Sequence, residues 1–278
     1  AISIATPEHW HAPATLLACA AGKHVYVEKP GSHNLREGRL MVAAARKYRR
    51  VVQMGNQRRS WPWVIESIAA LHAGELGKLF FARGWYMNHR PSIGRGRPVP
   101  VPDWLDYSLW QGPAPEQPYR DNILHYNWHW FWNWGTGESG NNGVHMLDLA
   151  RLGLQVDLPT RITCGGARYF HQDDWETPDT MSATFDFGDK GIAWECQSCA
   201  PRGFEGATVG VNFYGENGCL AMAGSNTVIY DLNNKVVREI KSQRAGLFDF
   251  DAIHFANFLD AIREGKPLKS DIEDGQKS

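Results

Sequence analysis

The chain has 278 residues, 43% hydrophobic and 21% charged, an ordinary globular composition with enough apolar material for two cores. Its 29 basic residues are offset by 30 acidic ones, for a net charge of -1. That balance excludes an electrostatic grip on nucleic acid and leaves a small molecule as the expected partner. Cysteine is scarce and odd in number, five in all, which excludes a disulfide framework, and no run of about 18 apolar residues offers a membrane span.

In chain order, Ala1-Ile2-Ser3-Ile4-Ala5 reads as a buried strand already under way at the first residue. Thr6-Pro7-Glu8 then gives an N-cap, a proline at the first helical position and an acid in the first turn. The helix it opens is expected to turn Trp10, Ala14, Leu17, Ala18 and Ala21 to one side and to close at Gly22. A strand over His24–Glu28, a helix over about Leu35–Tyr48 carrying Leu40, Met41, Ala44 and Ala45, and a strand over Val51–Met54 follow. Strand and helix alternating at this spacing predict right-handed crossovers and a parallel sheet. Three strands fall short of a complete doubly wound domain, whose strand order is 3-2-1-4-5-6. A missing first half should pair against the first strand, which otherwise is an open hydrophobic edge. Asp271–Ser278 also stops without a terminating element. The chain therefore reads as a fragment of a longer one, with its cellular location open because a leader would precede Ala1.

From Lys78 the pattern changes. Leu79–Asn88 reads as a strand, residues 90–120 as a long irregular excursion rich in Pro, Gly and Arg, and Asn141–Leu154 as a helix. Strands are expected over about 160–169, 180–187, 191–198, 207–214, 218–222, 227–231 and 235–240. Turns such as Gly188-Asp189-Lys190-Gly191 and Glu216-Asn217-Gly218 make them an antiparallel meander, and a last helix spans about Phe250–Glu264. The fold class is thus α/β: a partial doubly wound parallel sheet over residues 1–76, followed by an α+β domain with a large antiparallel sheet over 77–278.

Several patterns bear on chemistry. Gly135-Thr136-Gly137-Glu138-Ser139-Gly140 matches G-x-G-x-x-G, but an aromatic segment precedes it and no parallel strand returns after it, so it is not a phosphate cradle. These glycines read as a tight turn into the helix at Asn141. Cys196-x-x-Cys199 has no second pair to complete a zinc site, and these are read as structural thiols. Asn127-Trp128-His129-Trp130-Phe131-Trp132-Asn133-Trp134 alternates strictly. In an extended chain its four Trp would face one way and the polar residues the other, as a surface for a sugar. His125-x-x-x-His129 has metal-like spacing only on a helix, so metal is set aside.

Glu28-Lys29-Pro30 lies at the carboxyl end of a parallel strand, the edge at which ligands bind in open α/β sheets. With Ile4-Ala5-Thr6-Pro7-x-x-x-His11 and Ala20-Ala21-Gly22-Lys23-His24-Val25-Tyr26-Val27-Glu28-Lys29-Pro30, the chain resembles the Gfo/Idh/MocA oxidoreductases. Gly140-Asn141-Asn142-Gly143-Val144-His145-Met146-Leu147-Asp148 is similar to that family's Asp-x-x-x-His-x-x-Asp helix start. The resemblance implies an NAD(P)-dependent dehydrogenase of CH–OH groups, NAD favoured over NADP, acting on a carbohydrate or cyclitol. It assigns Lys29 to both nicotinamide ribose and substrate hydroxyl, and places Thr6, Pro7, His9, Glu28 and Asn56 along the cofactor. Asn141, His145 and Asp148 fall on one helical stripe, with His129, Trp128 and Tyr126 as further substrate contacts. Where many relatives carry an acid, this chain has Asn141, which cannot take a proton. Proton removal then falls to His145, whose unperturbed pKa of about 6.5 suits a base. Two other outcomes remain open: a glycosidase that oxidises transiently, eliminates and reduces again, and a non-catalytic sugar-binding relative. Family likeness also implies a homo-oligomer through the antiparallel sheet.

Overall fold

The structure is a computed structural model that describes residues 1–242 and 249–278. The parallel part comprises β1 (Ile2–Ile4), α1 (Glu8–Ala20), β2 (Val25–Val27), α2 (Leu35–Lys47) and β3 (Val52–Met54), with sheet order β1-β2-β3. Its register sets Ile2 beside Val25 and Val25 beside Val52. β2 and β3 are buried along their whole length, as parallel strands covered on both faces must be. α2 starts where Asn34 Oδ1 accepts from Glu37 N at 3.1 Å, and Glu37 reaches back to His33 N at 2.9 Å, a reciprocal cap. α1 departs from expectation. Its buried face carries His11, Ala12, Thr15, Ala18 and Cys19, while Leu17 is 68% exposed. Apolar residues lie all round this helix, so packing against α2 and the sheet, not periodicity, selects the inner face.

The second part adds α3 (Pro62–His72), β4 (Leu79–Met87), α4 (Tyr107–Gln111), α5 (Val144–Leu154), β5 (Arg161–Ala167), β6 (Thr180–Asp186), β7 (Gly191–Gln197), β8 (Val209–Gly215), β9 (Gly218–Ala223), β10 (Asn226–Asp231), β11 (Val236–Lys241), α6 (Asp249–Glu264) and α7 (Ile272–Gly275). The eight-stranded sheet runs β11-β10-β9-β8-β4-β7-β6-β5. It is not a plain meander. β4 enters between β7 and β8 and pairs with β7 in parallel, Phe81 beside Gly191 and Met87 beside Gln197. A meander is what hairpin turns alone specify; the insertion of β4 is decided by pairing far apart in the chain, which no local turn encodes.

α3 and α5 cover one face of this sheet. Val64, Ile68, Leu71, Met146, Leu149 and Leu154 pack there against Ile192, Trp194, Val211 and Phe213. The expected boundary at residue 76 does not separate the cores. α3 belongs to the large sheet, while Ile272 of α7 returns to the core under the parallel sheet, and Phe255 of α6 stacks on Tyr26 of β2 at 4.0 Å. Among the described residues no helix is long and apolar enough to cross a membrane.

A buried ionic network ties the two parts together. Arg59, in the 3-10 turn after β3, donates to both oxygens of Asp148 on α5 at 2.8 and 2.5 Å, and pairs with Asp274 at 2.6 Å. Ser278 Oγ donates to the same Asp148 carboxylate at 2.8 Å, and Arg151 pairs with Asp274 at 3.1 Å. Asp148 therefore corrects an expectation. Its two oxygens are engaged by Arg59 and Ser278, so it locks α5 to the parallel part and offers nothing to a substrate. Asp148→Ala, which leaves the buried guanidinium with the half-exposed Asp274 as its one carboxylate partner, is expected to cost about 3 kcal/mol in denaturant unfolding, and Arg59→Met with Asp148→Leu should cost less than the single change.

Candidate functional site

Lys29 stands at the carboxyl end of β2, and its side chain crosses to the segment that leads into α5. Its Nζ donates to the main-chain oxygen of Asn141 at 2.6 Å and to Asn141 Oδ1 at 2.9 Å. An ammonium has three N–H groups, so one is left for a ligand. The Asn141 amide is fixed from its other side, where Nδ2 donates to the Tyr126 hydroxyl at 3.0 Å. Asn141 lies in a π turn, Ser139–Gly143, that opens directly into α5. The chain reaches this turn through Gly137, whose φ of 68° is in the left-handed region that glycine adopts without strain. The glycine run thus makes the turn expected of it.

His129 joins the same neighbourhood. Its Nδ1 donates to the Tyr126 carbonyl at 2.7 Å, which fixes the tautomer and leaves Nε2 as an acceptor. Burial pushes its pKa down to about 4, with the charges of Lys29 and Arg90 acting in the same direction. His145, one turn beyond Asn141, has Nδ1 enclosed without a partner. Burial first, then Arg58 and Lys29, hold its pKa well below the ordinary value. It is therefore a neutral imidazole, a weaker base than its unperturbed pKa suggests. Hydrogen bonds thus link Lys29, Asn141, Tyr126 and His129, and the charge of Lys29 acts on His145.

The tryptophan run is not extended. Asn127–Trp130 forms a 3-10 turn, continued by hydrogen bonds from Phe131 N to Trp128 O and from Trp134 N to Phe131 O. With no partner strand to pair with, the backbone satisfies itself locally, and the four indoles scatter. Trp130 is buried in a stack on Trp175 at 3.9 Å, Trp134 is buried edge-on to Trp110, and Trp132 faces solvent. Trp128 stacks on His129 at 3.6 Å and so braces that ring.

Sequence reasoning passed over the acids around the lysine. Glu8 is 1% exposed and accepts from Thr136 Oγ1 at 2.6 Å. Burial pushes it up to about 7. Glu138 accepts from Arg90 Nε at 2.8 Å and from Asn142 Nδ2 at 2.7 Å. The Arg90 guanidinium also lies 5.4 to 5.6 Å from the rings of Tyr86, Tyr126 and Trp130. Burial pulls the Lys29 pKa down, while Glu8, Glu28 and Glu138 hold it up. Glu8 read simply as a helix-opening acid, and nothing local in the sequence pairs Arg90 with Glu138.

The remaining expected residues line or flank the rim. Glu28 accepts from Lys29 N at 3.2 Å and from Gln57 Nε2 at 3.3 Å. Asn56, after β3, is 1% exposed with both amide atoms unpartnered. Thr6 and Pro7 join β1 to α1, and both ring nitrogens of His11 lie within hydrogen-bond distance of carbonyls, Pro30 O at 2.6 Å and Thr6 O at 2.8 Å. A neutral ring has one N–H, so one of the two is bonded at a time. His9 is directed at the excursion, Nε2 donating to Trp110 O at 2.9 Å. Among the described residues no group of His, Cys, Asp and Glu could hold a metal ion.

Residues 1–56 match a family model described as oxidoreductase family, NAD-binding Rossmann fold, and residues 84–193 match the same family's C-terminal alpha/beta domain. A levoglucosan dehydrogenase of Pseudarthrobacter phenanthrenivorans is 31% identical over 86 residues, 31% of this chain but only 22% of that protein's length. The aldose-aldose oxidoreductase of Caulobacter crescentus, complexed with glycerol, superposes with a TM-score of 0.73 at 17% identity, over 99% of this chain and 72% of that one. A levoglucosan dehydrogenase in complex with NADH and levoglucosan gives 0.73 at 18% identity, over 99% and 73%. At those identities the superpositions establish the fold.

The His129 ring should stay neutral throughout the physiological range and titrate near pH 4, as its Nδ1–H bond and burial require. Histidine nitrogen chemical shifts followed by NMR check this; an Nε2 that protonates near pH 6.5 would contradict it. The group binds protons less tightly folded than unfolded, so its share of stability falls as pH drops from the ordinary value of 6.5 through about 4.

Proposed function

We propose that this chain, which belongs to the Gfo/Idh/MocA oxidoreductase family, oxidises a secondary alcohol of a sugar or cyclitol with a nicotinamide cofactor. The observation that carries the reading is Lys29 Nζ, anchored by two hydrogen bonds to Asn141 at the carboxyl end of a parallel strand, with the neutral rings of His129 and His145 within its field.

The residues at the rim fit a dinucleotide. Asn56 has an enclosed amide with neither donor nor acceptor satisfied, a deficit that sugar hydroxyls would meet. Thr6, Pro7, Glu28 and Lys29 share that rim at the ends of β1 and β2; His9 is assigned there by resemblance alone. A nicotinamide held along that rim would supply the hydride acceptor for the carbinol carbon. The remaining N–H of Lys29 points the substrate oxygen and steadies the negative charge that develops on it. His145 takes the hydroxyl proton at Nε2, and the carbon–oxygen bond becomes double. A neutral imidazole is the competent form for that step. His129 Nε2 accepts from a neighbouring hydroxyl, the Asn141–Tyr126 pair holds the lysine in line, and Trp128 backs His129.

The family resemblance brings two alternatives, which the same assay separates. Incubation of the protein as the cell makes it with NAD and a panel of sugars and cyclitols should accumulate reduced cofactor. An aglycone released without it would instead mark transient oxidation and elimination, and failure to bind NAD(H) or NADP(H) would leave a sugar-binding protein. Lys29→Met should lower turnover by roughly 10²–10⁴-fold at saturating cofactor; near wild-type rates in that variant would overturn the reading.

A further inference from the structure

The acid that most supports the Lys29 charge is Glu8 in the first turn of α1, ahead of the chain neighbour Glu28 and of Glu138. Its placement is unusual for a carboxylate. Oε2 accepts one hydrogen bond, from Thr136 Oγ1 at 2.6 Å, and Oε1 is enclosed without a partner. An ionised carboxylate offers about four acceptor sites; enclosed here, the carboxyl is pushed up to about 7, and its charged form is supported by Thr136 and by the charge of Lys29. Glu8 is wedged between the two segments that position the lysine. On one side Thr136 leads into the turn that carries Asn141, and a Cβ on Gly140 would lie 3.4 Å from Glu8 Oε2. On the other, His11, three residues along α1, faces the carbonyl of Pro30, the residue after the lysine.

We propose that Glu8 is a positioning residue for the alcohol oxidation argued above, bracing through Thr136 the turn that holds Lys29 and keeping that amine charged, without touching substrate itself. The inference rests on that reading of Lys29. Other groups face the lysine too: Glu28 from its own strand end, Glu138 from the start of the π turn, Arg90 from the segment after β4, and the rings of His11, His129 and His145. Glu138 is already paired with Arg90 at 2.8 Å, and Glu28 is committed to Lys29 N and Gln57. Among the described residues Glu8 forms no ion pair, and the charge that acts on it is that of Lys29. The burial that raises the Glu8 carboxyl to about 7 also lowers the Lys29 amine, so each charge is supported by the other.

The test separates this inference from the reaction itself by reading the lysine without turnover. Competitive acetylation of the intact protein against pH, with Lys29 followed by mass spectrometry, gives the acidity of that amine. In Glu8→Gln the Lys29 titration should move to lower pH by about one unit, roughly tenfold in acidity, and the alkaline limb of kcat should move with it. Glu8→Asp, which keeps the charge, should restore part of both. Stability supplies a second readout. The raised carboxyl stabilises the fold below its ordinary pKa of 4.5 and loses that contribution as pH rises through about 7, so Glu8→Gln should flatten this stretch of the Tm profile. Should Glu8→Gln not fold, Thr136→Val raises the Glu8 pKa further and should move the Lys29 titration the same way by less. An unchanged Lys29 titration in these variants would overturn the role of Glu8 while leaving the proposed oxidation standing. A normal rate in Lys29→Met would remove the oxidation whatever Glu8 does.

Discussion

The hydrogen bonds from Lys29 Nζ to Asn141 are the constraint around which the rest of the site is arranged. An ammonium drawn out of water must be given acceptors and countercharge, or it loses its proton. The parallel part brings the lysine to the carboxyl end of β2, and the second part supplies the acceptors from the turn before α5. Neither piece makes a site alone. The π turn matters here because it presents both the carbonyl and the side-chain oxygen of one residue, Asn141, to the same ammonium.

Desolvation then sets the charge states around it. It raises the carboxyls of Glu8, Glu28 and Glu138 and lowers Lys29, His129 and His145. The outcome is a cluster whose histidines are neutral and whose lysine charge is supported by the acids about it. Asn in place of an acid at position 141 fits this balance. A fourth carboxylate against the ammonium would carry a further buried charge, while the amide gives Lys29 the same acceptor oxygen and has a donor to spare for Tyr126.

Much of this was legible in the sequence, and what was not has physical reasons. The alternation of strands and helices up to Met54, and every later strand to within a few residues, follow from periodicity and turn chemistry, which are local. The partner of β4 is not local, and the sequence placed that strand correctly without placing it in the sheet. The inner face of α1 was misjudged because Leu17 and Ala12 are both apolar and only packing tells them apart. The tryptophan run alternates as a strand does, yet alternation is sufficient for a strand only where an edge is available to pair with. At the site, Lys29, Asn141 and His145 were legible because they sit in motifs. Glu8, Arg90 and Glu138 were not, because their meaning comes from burial and from partners tens of residues away.

Asp148 shows why a side chain that misses the substrate still belongs to the design. It lies seven residues beyond Asn141, two helical turns along α5, and is gripped by Arg59, which follows β3 and Asn56. α5 and the turn before it are therefore held to the parallel part at two points, by Lys29 at the turn and by Arg59 further along. These contacts add to the packing of α5 on the large sheet and help to place the ring of His145, which lies between them and whose enclosed Nδ1 has no hydrogen-bond partner among the described residues. With Nδ1 unpartnered, the orientation of that ring comes from the helix that carries it. The buried Arg59–Asp148 pair is in that sense the support for a histidine it never touches.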